Sequence, residues 1–234
     1  MEALLSDIFK SLNLEADVKP FIAFAEELIE TNKVMNLTAI TEPDEICIRH
    51  FADSLSLLSA YDFSGKRVID VGCGAGFPGL PLHLAKSDIS LTLLDSLGKR
   101  INFLSGVCDK IGITDIELLH ARAEEQALKP GYREGYDIAV SRAVADLSML
   151  AEMCLPYVKV GGVMLAMKAS DCQEEINRAK NAIKILGGKI EKKFDYELFD
   201  TARVNSVLII RKVSETPKKY PYSYCQSVTA FLID

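Results

Sequence analysis

The stretch Val68–Ala85, "VIDVGCGAGFPGLPLHLA", restricts the possible folds of this chain more than any other. A short apolar run meets four glycines (Gly72, Gly74, Gly76, Gly79), and an apolar run with helix-forming residues follows. This pattern predicts a buried strand that stops abruptly, a backbone turn open to left-handed conformations, and then a helix. In open α/β sheets a ligand sits beyond the carboxyl ends of the strands, near the point where strand order reverses. One stretch therefore predicts both a fold class and the place of a site.

The rest of the chain agrees. Leu5, Ile8, Phe9 and Leu12 recur at helical spacing, as do Phe21, Phe24, Ala25, Leu28 and Ile29. "EPDEICIRHFADSLSLLSAY" reads as one or two more helices, with Pro43 suited to a first turn. After Gly65, strand-like runs ("KRVIDV", "ISLTLLD", "DIELLHA", "YDIAVSRA", "GGVMLAMKA") alternate with helical stretches. In "LGKRINFLSGVCDKIG", Leu97, Ile101, Leu104, Cys108 and Ile111 share a face and Gly112 marks the stop. Such alternation implies right-handed crossovers and a parallel sheet covered on both faces. "KIEKKFDYELFDTARVNSVLIIRKV" holds two strand-like runs with no helix between them, which predicts an antiparallel pair at the end of the sheet. The expected division is a helical extension (1–64), an α/β domain (65–213) and a tail (214–234).

With 49% hydrophobic and 26% charged residues in 234, the chain has enough apolar material for one large α/β domain or two small ones. No apolar run approaches the roughly 18–20 residues that cross a bilayer. The first residues lack the basic segment and cleavage site of a secretory signal. The six cysteines lie far apart with no C-x-x-C pair, which argues against zinc or a disulfide framework and fits the cytoplasm. A net charge of −6 is not that of a general nucleic-acid coat, so a nucleic-acid substrate requires a local basic face.

Gly74-x-Gly76-x-x-Gly79 fits a dinucleotide fingerprint in form. Asp70, two residues before the first glycine, argues against that ligand. A pyrophosphate needs positive potential and free amides at the helix start, and a carboxylate there repels it. S-adenosylmethionine carries a sulfonium and an ammonium and no phosphate, so the same acid favours it. The working frame is then Asp70-x-Gly72-x-Gly74-x-Gly76. Asp95, at the end of the second strand, is placed to accept bonds from both hydroxyls of a ribose. Its ordinary alternative is to cap the helix that follows.

"DVGCGAGFPGLPL", "LLDSLGKRINFL", "ARAEE", "AVSRAVA", "LPYVKVGG" and "TPKKYP" occur in order, after "NLTAI" and "RHFADSL". Together they resemble the bacterial small-subunit ribosomal RNA guanine-N7 methyltransferases, the RsmG (GidB) family, from about residue 30 to residue 221. The resemblance implies a Rossmann-like, class I S-adenosylmethionine-dependent methyltransferase with a seven-stranded, mostly parallel sheet behind N-terminal helices. It also implies that Gly72 and Phe77 touch the cofactor, that Asp95 holds its ribose, and that Ala123 and Glu124 lie beside its adenine. It places Arg142 where methyl donor and substrate meet, which makes Arg142 the candidate catalytic residue. From the residues alone, Phe77 and Glu124 have ordinary alternatives, as core packing and as a solvated first-turn acid. An arginine closing an apolar strand, as Arg142 does, rarely faces a core.

The implied partner is small-subunit ribosomal RNA or the small subunit itself, with neither DNA nor a membrane, and a monomeric enzyme is expected. Guanine N7 has an in-plane lone pair and no proton to lose, so positioning and electrostatics suffice without a general base. The three histidines fit that reading: His83 is expected to be structural and His50 a contributor rather than a catalyst. Lys168, Lys218 and Lys219 are the candidate RNA contacts, with Arg203 a weaker choice. After "TPKKYP" the family normally continues with a basic Arg-Lys-Gly-Pro segment. Here "YSYCQSVTAFLID" follows, without a basic residue, so the extreme C-terminus is not expected to hold RNA. Two other readings compete: an NAD-dependent oxidoreductase, and a non-catalytic cofactor-sensing RNA-binding or assembly protein.

Overall fold

The computed structural model describes residues 1–142 and 144–222. A seven-stranded sheet has the order β3-β2-β1-β4-β5-β7-β6. Strands β1 (Arg67–Val71), β2 (Ser90–Asp95), β3 (Glu117–His120), β4 (Tyr136–Arg142) and β5 (Val158–Ala169) pair in parallel. The order reverses at β1, between β2 and β4, directly above which the glycine turn leaves the sheet. The last strands, β6 (Gly188–Glu197) and β7 (Val204–Lys212), form a hairpin, and β7 inserts antiparallel between β5 and β6. The expected antiparallel pair is therefore present, with the later strand on the inside.

The helices follow from the same periodicities. Helix α1 (Glu2–Ser11) buries Leu5, Ile8 and Phe9, and α2 (Val18–Asn32) buries Phe21, Phe24, Ala25 and Leu28. Asp17 caps α2 by accepting from the Lys19 N–H. Pro43 opens the short α3 (Pro43–Ile46), which widens into a π-helical turn, Cys47–Ala52, before α4 (Asp53–Leu55) and α5 (Leu57–Ala60). Widened turns of this kind concentrate at functional sites, and this one carries Arg49 and His50. Two strand-connecting helices are α6 (Gly79–Ala85) and α7 (Gly98–Ile111). Gly112 ends α7 in a left-handed conformation, φ +75°, as its position in the sequence predicts. Ile101, Leu104 and Cys108 are buried along the expected face of α7, whereas Leu97 precedes the first turn and is exposed.

The N-terminal helices and one face of the sheet share a single hydrophobic core. Its aromatic centre joins Phe21, Phe24 and Phe51 to Phe77 of the glycine turn, with Phe24 and Phe77 stacked at 5.1 Å. Aromatic contacts of this kind contribute about 0.5–1.5 kcal/mol each beyond the area they bury. The helical preface is therefore packed against the turn that begins the site. His83 is buried, with Nδ1 3.1 Å from the Ile89 carbonyl and Nε2 3.2 Å from Asp115, a structural role as expected. No helix among the described residues is long and apolar enough to cross a membrane.

Candidate active site

A cavity of about 690 Å³ opens at the carboxyl ends of the parallel strands, over the point where strand order reverses. Its floor is the glycine turn. Gly72 and Gly74 have φ of +75° and +58°, and a Cβ on Gly74 would meet nothing within 4 Å. Gly72 is crowded instead, since a Cβ there would sit 2.7 Å from Val144 Cγ2. The turn is fastened to β2 by the Gly72 and Cys73 N–H groups, which donate to the Leu94 carbonyl at 2.8 and 3.0 Å.

Two residues expected at the cofactor face elsewhere. Gly76 turns into the core, where a Cβ would stand 2.7 Å from Leu104 Cδ2. Asp70 lies beneath the turn, fully buried, and its Oδ2 accepts the Gly79 N–H at 2.7 Å. Strand alternation explains this, because the side chain points to the face that α6 covers. Asp70 therefore occupies the start of α6 rather than the cavity wall. Its Oδ1 has no hydrogen-bond partner among the described residues. Burial raises its pKa from 3.8 to about 7, against the opposing effect of the Gly79 bond. Between those values the folded chain keeps a proton that the unfolded chain has released, so stability from this group falls as pH rises from about 4 to about 7. Urea midpoints across that window are expected to fall for the parent relative to Asp70→Asn. A difference independent of pH would contradict this.

Asp95 closes β2 against the cavity and is almost fully buried. Oδ2 accepts from the Gly74 N–H at 2.9 Å and from Arg100 Nη1 at 3.1 Å, and Oδ1 accepts from the Leu97 N–H at 2.9 Å. The bond to Leu97 makes a turn ahead of α7, whose N-cap is Leu97 without a side-chain cap, so Asp95 does not cap that helix and stands in the cavity wall. A carboxylate offers about four acceptor positions, and three are taken here. A second ribose hydroxyl would have to displace Arg100, which is one-third exposed.

Ala123 and Glu124 follow β3, at the start of the short α8 (Ala123–Gln126), and both line the cavity. Tyr157 donates to the Ala123 carbonyl at 2.6 Å and fixes that backbone. Glu124 Oε1 is buried without a hydrogen bond among the described residues, although Arg122 Nη1 stands 3.7 Å away.

Arg142, at the end of β4, ties the wall together. Nη1 donates to Asp53 Oδ2 at 2.8 Å and to the Arg49 carbonyl at 3.1 Å, while Nη2 lies 3.0 Å from His50 Nδ1. The guanidinium also lies 5.2 Å from the centre of the Phe77 ring, close enough for a cation–π contact. Phe77 is buried and stacks on His50 at 4.4 Å, so it is core and cavity wall at once. Asp53 Oδ1 accepts from Tyr196 at 2.7 Å and Asn205 Nδ2 at 2.8 Å, and Asn205 Oδ1 accepts from Arg203 Nε at 3.1 Å. Burial, with Arg142 and Arg49 nearby, lowers the His50 pKa to about 3, so His50 is neutral.

The expected RNA contacts divide three ways. Arg203 is exposed at the cavity rim. Lys168 lines the cavity but is already paired, donating to Glu175 Oε1 at 2.6 Å and to the Ala145 carbonyl at 2.8 Å. Glu175 also accepts the Leu147 N–H, so this lysine fastens the loop after β4 rather than offering a free charge. Lys218 and Lys219 are exposed but stand at the opposite end of the sheet. Arg133 holds the carbonyls of Thr216 and Tyr220, and Glu134 the Thr216 N–H, just before β4 begins. The antiparallel β7 carries the chain away from the site, which is why these lysines do not reach it. The tail after residue 222 lies outside the described residues.

Thr38, Asp53, Tyr196 and Asn205 were not picked out as site residues by sequence reasoning. The available signal was weak: His50 and Asp53, three apart in an apolar helical run, share a face. The mouth is basic in an acidic chain: Arg49, Arg100, Arg122, Arg142, Lys168 and Arg203 line it against Asp53, Asp95 and Glu124.

Residues 17–197 match the family model of GidB, rRNA small subunit methyltransferase G. The ribosomal RNA small subunit methyltransferase G of Lachnoclostridium phytofermentans is 48% identical over 205 residues, 87% of this chain and 85% of that protein. Its namesake from Clostridium botulinum (strain Loch Maree) is 45% identical over 222 residues, 93% of each. A solved S-adenosylmethionine-dependent methyltransferase from Aquifex aeolicus has the same fold, with a TM-score of 0.52 at 16% identity over 72% of this chain and 93% of that one. The chain belongs to the rRNA small subunit methyltransferase G (GidB) family.

Proposed function

We propose that this chain transfers a methyl group from S-adenosylmethionine to N7 of a guanosine in small-subunit ribosomal RNA. The observation that carries the reading is the cavity itself, an open glycine floor beside a buried acid, opposite a basic rim. Gly74 lets a ligand approach the backbone, Asp95 meets a ribose, and Phe77 and Ala123 supply apolar walls. Glu124 Oε1, a buried acceptor without a hydrogen bond among the described residues, suits an exocyclic amine. When bound, S-adenosylmethionine supplies an electrophilic methyl group on a sulfonium.

The remaining work is positioning. N7 has no proton to lose, so no base is required, and the geometry leaves His50 little freedom to act as one. Its Nδ1 lone pair is engaged by Arg142 and its pKa is low. Asp53 and Arg142 hold each other at the junction of the floor and the rim, so that orientation and electrostatics are set before substrate arrives. Arg203 and Arg49 are placed to meet phosphates. We read residues 1–64 as an extension of the methyltransferase domain, and the enzyme as a cytoplasmic monomer acting on RNA rather than DNA.

The dinucleotide reading fares worse. Asp70 occupies the Gly79 N–H at the start of α6, where a pyrophosphate would bind, and Gly76 faces the core. Equilibrium titration is expected to show S-adenosylmethionine binding at micromolar concentrations, with NAD at least about 100-fold weaker, a difference near 2.7 kcal/mol. Tighter NAD binding would reverse the reading.

A further inference from the structure

We propose that the Thr38 hydroxyl donates a hydrogen bond to the O6 carbonyl of the target guanine, and so selects guanine over adenine. The inference rests on the N7-guanine reading above and deepens it. It comes from the direction of a hydrogen-bond chain. Arg142 has donors and no acceptor, so His50 Nδ1, 3.0 Å from Arg142 Nη2, must accept. A neutral imidazole then carries its proton on Nε2. Nε2 lies 2.9 Å from Thr38 Oγ1 and donates to it. The Ile40 N–H donates to the same oxygen at 3.1 Å. Both lone pairs of the hydroxyl are thereby used, and its own proton is left to point away from these two donors. Thr38 is half-buried in the cavity wall.

The hydroxyl is also held in place. Asn32, the last residue of α2, accepts the Leu37 and Thr38 N–H groups at 2.7 and 3.0 Å and donates to the Thr38 carbonyl at 2.9 Å. A donor fixed in this way recognises an acceptor. On the edge of the purine that carries N7, guanine presents the O6 acceptor and adenine an N6 amine donor. The amine would meet a proton where the site offers no lone pair, and sites of this kind reject the mismatched partner strongly.

The test is a double-mutant cycle between Thr38→Val and the base. Small-subunit RNA would carry guanosine, inosine (which keeps O6) or 2-aminopurine riboside (which lacks it) at the methylated position. Thr38→Val is expected to lower kcat/KM by about 10- to 100-fold on guanosine and inosine RNA, and to stay within about 2-fold of the parent on 2-aminopurine RNA. Thr38→Ser is expected to restore transfer, and S-adenosylmethionine affinity to stay unchanged in both variants. Equal losses on all three RNAs, unchanged transfer to guanosine, or weakened cofactor binding would each overturn the assignment. Should Thr38→Val not fold, the parent enzyme still decides: inosine RNA must keep activity that 2-aminopurine RNA loses. Failure of the broader reading looks different, because the parent would then yield no N7-methylguanine from ordinary RNA.

Discussion

Arg142→Ala is expected to lower kcat/KM for RNA methylation by about 100- to 1,000-fold, the usual cost of removing a preorganised charged donor at a reacting centre. The same guanidinium supports the wall: it pairs with Asp53, holds the π-helical turn through the Arg49 carbonyl and sets the His50 tautomer. Asp53 is buried, and stranding its carboxylate costs about 3 kcal/mol. Tyr196 and Asn205 remain bonded to Asp53 and hold the loss at that end of the range. Against the usual 5–15 kcal/mol of a folded domain, the variant stays folded with a lowered Tm. Arg142→Lys separates the two effects. It keeps the charge beside Asp53 but loses the planar fork that reaches three acceptors at once, so it is expected to regain most of the Tm and little of the activity. Near-normal transfer by Arg142→Ala on the correct RNA would remove Arg142 from the reaction.

Asp95→Asn is expected to weaken S-adenosylmethionine binding by about 100-fold, because charge-assisted bonds to a buried carboxylate contribute about 1.5–3 kcal/mol each. Three such bonds are visible without any ligand, to Gly74, Leu97 and Arg100, so part of the loss will come from a loosened glycine turn. The ribose contact can be isolated with a cofactor analogue that lacks a ribose hydroxyl. The parent enzyme is expected to bind the analogue more weakly than the full cofactor, and Asp95→Asn to bind the two nearly alike. If the analogue loses equally in both proteins, Asp95 only anchors the turn. Arg100→Ala provides a second readout: freeing an acceptor position on Oδ2 should leave cofactor affinity equal or improved.

Legibility in the sequence followed the range over which each signal acts. The strand, the glycine turn and the buried helical faces are local, and Val68–Val71, Phe24 and Gly112 behave as their neighbours in sequence require. Gly72, Gly74, Phe77, Asp95, Ala123, Glu124 and Arg142 all reach the cavity, because the ends of parallel strands converge there whatever the side chain. The misplaced residues depended on direction. A one-residue alternation sends Asp70 under α6 instead of into the cavity, and left-handed backbone turns Gly76 into the core. Lys218 and Lys219 depended on topology, since β7 runs antiparallel and delivers them to the far end. Asp53, Tyr196 and Asn205 are brought together from positions 143 and 152 residues apart, a separation over which periodicity carries no information. Lys168 looked free because its partner Glu175 lies on the next helix, Gln173–Ile185.

We propose, then, methylation by this cavity of N7 of a guanosine in small-subunit ribosomal RNA. Its most direct test is transfer of a tritiated methyl group from S-adenosylmethionine to undermethylated small-subunit RNA, presented both naked and as assembled subunits, with the product base identified and mapped. The expected result is label on a single guanosine, released as N7-methylguanine, and its loss with Arg142→Ala. Label on another base or another ring atom, or no label on either substrate, would contradict it.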